Sequence, residues 1–250
     1  MLNINFFKPQ GPFNLEDLIE NAANNRGIKI FDIKTLENAS NKDITFLNSS
    51  KYKSQAINTK AAVCVTKKNL ENLLPKKCIK VFVKNVLFST AKISLKFYPK
   101  ADLDYPDVSI VDSASISNKY NSVTFGKNIL IGKNVKIGSN TSIGNNTTIE
   151  QNVYVGKNCL IGSNITLKNT IIGDNVVIQD GCKIGIKGFG FVPLKDKNFR
   201  FPHIGRVLLN NNVELGANCT IDRGSIGDTV IGENTFLDNQ VHMAHNVKLG

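Results

Sequence analysis

No run of apolar residues in this 250-residue sequence approaches the roughly 18 that a membrane-spanning helix requires. The opening residues MLNINFFKPQ lack the charged start and the apolar centre of a secretory signal. Together these absences give the expectation of a soluble, cytoplasmic protein with no stable membrane insertion. Cysteine is sparse: Cys64, Cys78, Cys159, Cys182 and Cys219 are odd in number, widely spaced and without a CxxC pair. They indicate neither a disulfide framework nor a zinc site, and read as small buried hydrophobes. No basic run is interleaved with aromatic residues, so nucleic acid is not an expected partner. A G-x-G-x-x-G phosphate cradle between a strand and a helix is also missing.

What is present is an uneven charge. The net +11 is concentrated in residues 1–100, which hold 17 Lys+Arg against 7 Asp+Glu, whereas residues 101–250 hold 14 against 13. Either the first hundred residues attract an anionic partner, such as a sugar nucleotide or an acidic carrier protein, or the chain simply favours lysine.

From residue 125 the sequence repeats every six residues: FGKNIL, IGKNVK, IGSNTS, IGNNTT, IEQNVY, VGKNCL, IGSNIT. An aliphatic position i runs through Phe125, Ile131, Ile137, Ile143, Ile149, Val155, Ile161 and Leu167, and after a one-residue slip through Ile172, Ile178 and Ile184. It resumes at Leu209, Leu215 and Ile221, then Ile231, Leu237, Met243 and Leu249. Position i+4 holds small or β-branched residues such as Val135, Thr141, Thr147, Val153, Cys159 and Cys219. Positions i+4 and the next i are two apart and share one face of a short strand. Asn at i+3 and Gly at i+1 suit the tight or left-handed backbone of a corner. Six residues therefore make one strand and one corner, and three such units close a triangular coil. This pattern resembles the hexapeptide acyltransferases, which implies a left-handed parallel β-helix.

The expected organisation is an α/β domain over residues 1–100, a linker at 101–107 and the β-helix over 108–250, with a first imperfect coil near Ile110 and Ile116. In the first domain FNLEDLIENAAN reads as a helix with Asn14 as N-cap, AAVCVT and CIKVFVK as strands, and VLFSTAKISLKFY as a helix ending before Pro99. The hexad breaks at about residues 185–206, GIKGFGFVPLKDKNFRFPHIGR. This is an excursion loop that either shapes a site or merely solubilises.

Histidine occurs three times, and His242 and His245 fall at i−1 and i+2, outward slots of a strand and a corner. A neutral imidazole suits proton transfer near neutral pH, although an ordinary surface role is the alternative for each. A zinc site built from three histidines is not expected, because the third, His203, lies in the excursion loop.

The string VELGANCTIDRGSIGDTVIGENTFLDNQVHMAHNVKLG, together with TFLNSSKY, VFVKN, GIKGFGFV and IGRV, resembles the UDP-3-O-acylglucosamine N-acyltransferases over nearly the whole chain. That resemblance implies transfer of a hydroxyacyl group from acyl carrier protein to the 2-amino group of UDP-3-O-acylglucosamine, in lipid A biosynthesis. It also implies a homotrimer with its sites between neighbouring β-helices, and no cofactor beyond the phosphopantetheine of the carrier. By match to AHNV, His245 would be the general base. By match to DNQ, Asp238 would orient it, with Asn239 and His242 as substrate contacts. Phe46 and Tyr52 match the aromatics that hold uracil, with Asn48 and Ser49 beside them where the family carries Asn three places after the Phe.

Two other readings stay open on the sequence. One is a related acyltransferase acting on a hydroxyl or another amine, against which the N-terminal uridine-type domain argues. The other is a β-helix that binds a carrier without catalysis. The sequence stops at VKLG in mid-coil. The expectation is that this form binds the UDP-sugar, transfers acyl groups poorly and associates through its C-terminal face.

Overall fold

The hexads fold as three stacks of short parallel strands, so that a strand pairs with the one 18 residues later, as Leu130 does with Thr148 and Thr124 with Ser142. The computed structural model describes residues 4–20 and 27–250. The chain divides into two units, one comprising Met1–Phe6, Asp104–Phe189 and His203–Gly250, the other Phe7–Leu103 and Gly190–Pro202.

The first unit is a left-handed parallel β-helix of three sheets with six, six and seven strands. Its interior is a single column of buried side chains, including Ile131, Ile149, Val155, Leu167, Ile184, Leu215 and Ile221 at position i. Val153, Cys159, Cys182, Val213 and Cys219 come from i+4. A polar residue enters where its bonds are met: the buried Thr141 hydroxyl donates to the Gly156 carbonyl at 2.9 Å and accepts the Cys159 N–H at 3.1 Å. All five cysteines are free and buried.

Asparagine and glycine divide the work of the corners. Asn128, Asn134, Asn140, Asn146, Asn152, Asn158 and Asn164 all have φ between 55° and 63°, the left-handed region that asparagine tolerates. The glycines at i+1 are required by close approach. A Cβ at Gly156 would lie 2.2 Å from the carbonyl oxygen of Gly173 in the next coil.

The segment near Ile110 and Ile116 does not form the expected coil. Val111–Asp112 pairs antiparallel with Leu130–Ile131, and Ser113–Ser115 and Ser117–Lys119 are 3-10 turns. The stretch DSASISNKY has apolar residues at nearly the right spacing but no glycine at the corner. It lies across the end of the helix, with Ile116 and Tyr120 packed on the core, and covers an edge that would otherwise be open.

The second unit holds a four-stranded parallel sheet in the order Asp32–Ile33, Asp43–Leu47, Val63–Thr66, Ile79–Phe82. Helix Val86–Phe97 buries Val86, Thr90, Ala91, Ile93, Ser94 and Phe97, and Asn85 caps it by accepting the Phe88 N–H at 3.0 Å. The helix expected at FNLEDLIENAAN is shorter, Leu15–Leu18. Phe13–Asn14 is extended and pairs with Lys29–Ile30, Asn14 makes no side-chain cap, and Ile19 is extended and buried. The remainder of that string from residue 21 lies outside the described residues. The excursion forms an antiparallel hairpin, Phe191–Pro193 with Asn198–Arg200, whose Phe199 ring meets Phe88 edge-on at 5.2 Å.

Candidate active site

Strand Lys183–Lys187 is longer than the other strands of its stack because of a bulge between Ile184 and Ile186, where Gly185 takes φ +79°. Beyond the bulge Ile186 pairs with Asp222 and Lys187 with Arg223. The bulge carries the backbone past the normal corner and sets Gly188 against Asp222, a common use of a bulge beside a site. The chain then leaves for the hairpin and returns at His203.

His203 is fully buried, not exposed on a surface excursion. Its Nδ1 accepts the Gly188 N–H at 3.0 Å. Its carbonyl accepts Nε of Arg223 at 3.0 Å, and Arg223, itself 1% exposed, pairs with Asp104 at 2.5 Å. Burial tends to raise the Asp104 carboxyl, but the Arg223 guanidinium and the Lys187 N–H outweigh it and hold it below its ordinary value. Burial, with Lys187, His245 and Arg223 adding to it, pushes the His203 imidazole down to about 2.

His245 packs its ring on His203 with centroids 4.7 Å apart and planes at 62°. Its Nδ1 lies 2.9 Å from Oδ1 of Asn246. The orientation of that amide is fixed by other bonds: Oδ1 also accepts the Ser225 N–H at 3.0 Å, and Nδ2 donates to the Gly227 carbonyl at 3.0 Å. An oxygen facing Nδ1 makes Nδ1 the protonated nitrogen, so Nε2 carries the lone pair. No hydrogen bond to Nε2 occurs among the described residues. This is the tautomer a general base needs.

His242, with a side chain 61% exposed, sits 3.4 Å from the buried Asp222 carboxylate. Asp238, expected to orient His245, lies at a different corner, and its Oδ1 accepts the Asn239 N–H at 2.7 Å. Among the described residues no hydrogen bond or ion pair joins Asp238 to His245, whose Nδ1 meets Asn246. Asn239 Oδ1 accepts the Ala217 N–H at 2.7 Å, a corner bond repeated between Asn145 and Lys127.

In the α/β unit, Phe46, Asn48, Ser49 and Tyr52 gather at the carboxyl end of strand Asp43–Leu47, where open parallel sheets bind ligands. Phe46, Asn48 and Ser49 are half-buried, Tyr52 is 55% exposed, and the Ser49 hydroxyl accepts the Lys51 N–H at 3.3 Å.

Residues 122–157 match the bacterial transferase hexapeptide (six repeats) and residues 153–185 the hexapeptide repeat of succinyl-transferase. These coils are thus those of a hexapeptide-repeat transferase. Residues 28–95 match UDP-3-O-(3-hydroxymyristoyl) glucosamine N-acyltransferase, LpxD. The UDP-3-O-acylglucosamine N-acyltransferases of Rickettsia massiliae (strain Mtu5) and Rickettsia bellii (strain RML369-C) are 42% and 40% identical, each alignment covering 100% of this chain and 75% of the relative. The chain belongs to the UDP-3-O-acylglucosamine N-acyltransferase family. Among solved structures, AntD, an N-acyltransferase from Bacillus cereus, aligns over 56% of this chain and 82% of its own at 19% identity and TM-score 0.30, too loosely for its ligands to bear on this site.

Proposed function

We propose that the chain transfers a (3-hydroxy)acyl group from acyl carrier protein to the 2-amino group of UDP-3-O-acylglucosamine, in the cytoplasm and in the service of lipid A biosynthesis. The observation that carries this reading is His245, with its Nδ1 proton held by Asn246 and its Nε2 open. The amine nitrogen attacks the carbonyl carbon of the thioester while Nε2 takes the amine proton. The C–N bond forms, the C–S bond breaks, and the proton leaves on the thiol of the carrier's phosphopantetheine. No further cofactor enters the balance.

Asn246 orients the base as the third member of a triad does. Phe46 and Tyr52 offer flat faces to uracil, with Asn48 and Ser49 placed to hydrogen-bond it. Asn239 and His242 are assigned contact with the sugar. The excess of positive charge in residues 1–100 favours both the diphosphate and an acidic carrier. A homotrimer would set each outward histidine in a cleft between β-helices, where an acyl chain finds an apolar wall. Assay of acyl-carrier and acyl-coenzyme A donors against amine and hydroxyl acceptors tests the reading. Transfer from the carrier to the amine is expected, and preference for a hydroxyl acceptor would overturn it.

A further inference from the structure

We infer that His203 is a positioning residue of this reaction, a buried imidazole that fixes the backbone at Gly188 and the ring of His245 together. The inference rests on the reading of His245 as the base. Nδ1 of His203 accepts the Gly188 N–H at 3.0 Å, which places the proton of the neutral ring on Nε2. The same ring touches His245 edge to face, with centroids 4.7 Å apart.

Gly188 is the point around which the group closes. A Cβ there would lie 2.8 Å from Cε1 of His203, 2.9 Å from Cδ2 of His245 and 3.1 Å from Oδ2 of Asp222. The other end of His203 is anchored as well, since its carbonyl is held by the buried Arg223. A continuous set of contacts therefore runs from Asp104 through Arg223 and His203 to the base. The titratable groups gathered around His203 are Lys187, Arg223, His245 and, across Gly188, Asp222; burial is the larger influence and keeps the His203 ring uncharged. A neutral neighbour matters beside a base that must gain a proton, because a second positive charge at this distance would oppose the transfer.

Two variants separate the two contacts. His203→Phe keeps a ring edge on His245 and loses the acceptor for Gly188; His203→Gln keeps an acceptor and loses the ring. Each is expected to lower kcat about 10-fold or more, with KM for the UDP-sugar within about 2-fold, because small misplacement of a reacting group costs rate and not affinity. With three histidines in the chain, imidazole NMR signals are assignable. His203 should show the Nε2–H tautomer and no titration between pH 5 and 8, and the His245 signals should move in both variants. Unchanged kcat in the folded variants, or a raised KM with unchanged kcat, overturns the inference. So does a His203 that titrates in that range, a reading that needs no variant to fold. His245→Ala, measured alongside, separates the two levels: if it retains turnover, the base assignment itself fails; if it is inactive while both His203 variants keep wild-type kcat, only the positioning role fails.

Discussion

Asn246 holds the His245 ring by its Nδ1, at 2.9 Å, from the very next position in the chain. The contact is possible because Asn246 takes the left-handed conformation, φ 64°, that the coil corner demands. The same residue turns the corner and sets the tautomer. The hexad thus supplies a partner for the His245 ring as a by-product of its geometry.

Asn246→Gly separates the two jobs, because glycine adopts φ 64° without strain but carries no amide. Its kcat is expected to fall about 100-fold with KM nearly unchanged, within the range of general-base effects. Asp238→Ala is expected to lower the rate less. Steady-state kinetics of the two variants side by side check the order.

Acid should weaken the fold through His203. Its imidazole keeps its proton off down to about 2 when folded, against an ordinary value of 6.5 in the unfolded chain. Between these values the unfolded state binds the extra proton, so stability falls as pH drops below about 6.5, by at most ~1.4 kcal/mol per pH unit from this group. Denaturant titrations at pH 7.5 and pH 5 should show that loss in the wild type and a smaller one in His203→Gln.

Gly156→Ala tests the close approach of coils. The new methyl would lie 2.2 Å from the Gly173 carbonyl oxygen, so two coils must part. A loss of about 2 kcal/mol or more is expected, as for other overpacked sites, and thermal melting measures it.

Tyr52→Ala should weaken binding of a uridine nucleotide about 10-fold by removing a stacking face, while kcat at saturating substrate stays within about 2-fold. Isothermal titration with UDP and a saturation curve measure both.

The β-helix was legible because its signals are local: an aliphatic residue every sixth position faces inward, and Asn at i+3 turns the corner. The reason for glycine was less legible, since contact with the next coil is 17 or 18 residues away, as between Gly156 and Gly173. Ile110 and Ile116 suggested a coil because apolar spacing alone does not distinguish a strand from a 3-10 turn. The helix at FNLEDLIENAAN was overextended because periodicity does not register that Ile19 is needed in an extended buried place. At the site, His242 and His245 stood out by their outward register. His203 and Asp222 did not, because they meet only through the bulge at Gly185 and the return of the hairpin at residues 190–202. Matching strings pointed to Asp238 beside His245, and in the single chain Nδ1 of His245 meets its neighbour, Asn246.

The most direct test is turnover of His245→Ala with a hydroxyacyl-carrier donor and UDP-3-O-acylglucosamine, measured together with UDP binding. The expected result is a loss of N-acyl transfer of about 10² to 10⁴-fold with UDP affinity unchanged, since a base acts in the transition state. Wild-type turnover in that variant would contradict the account.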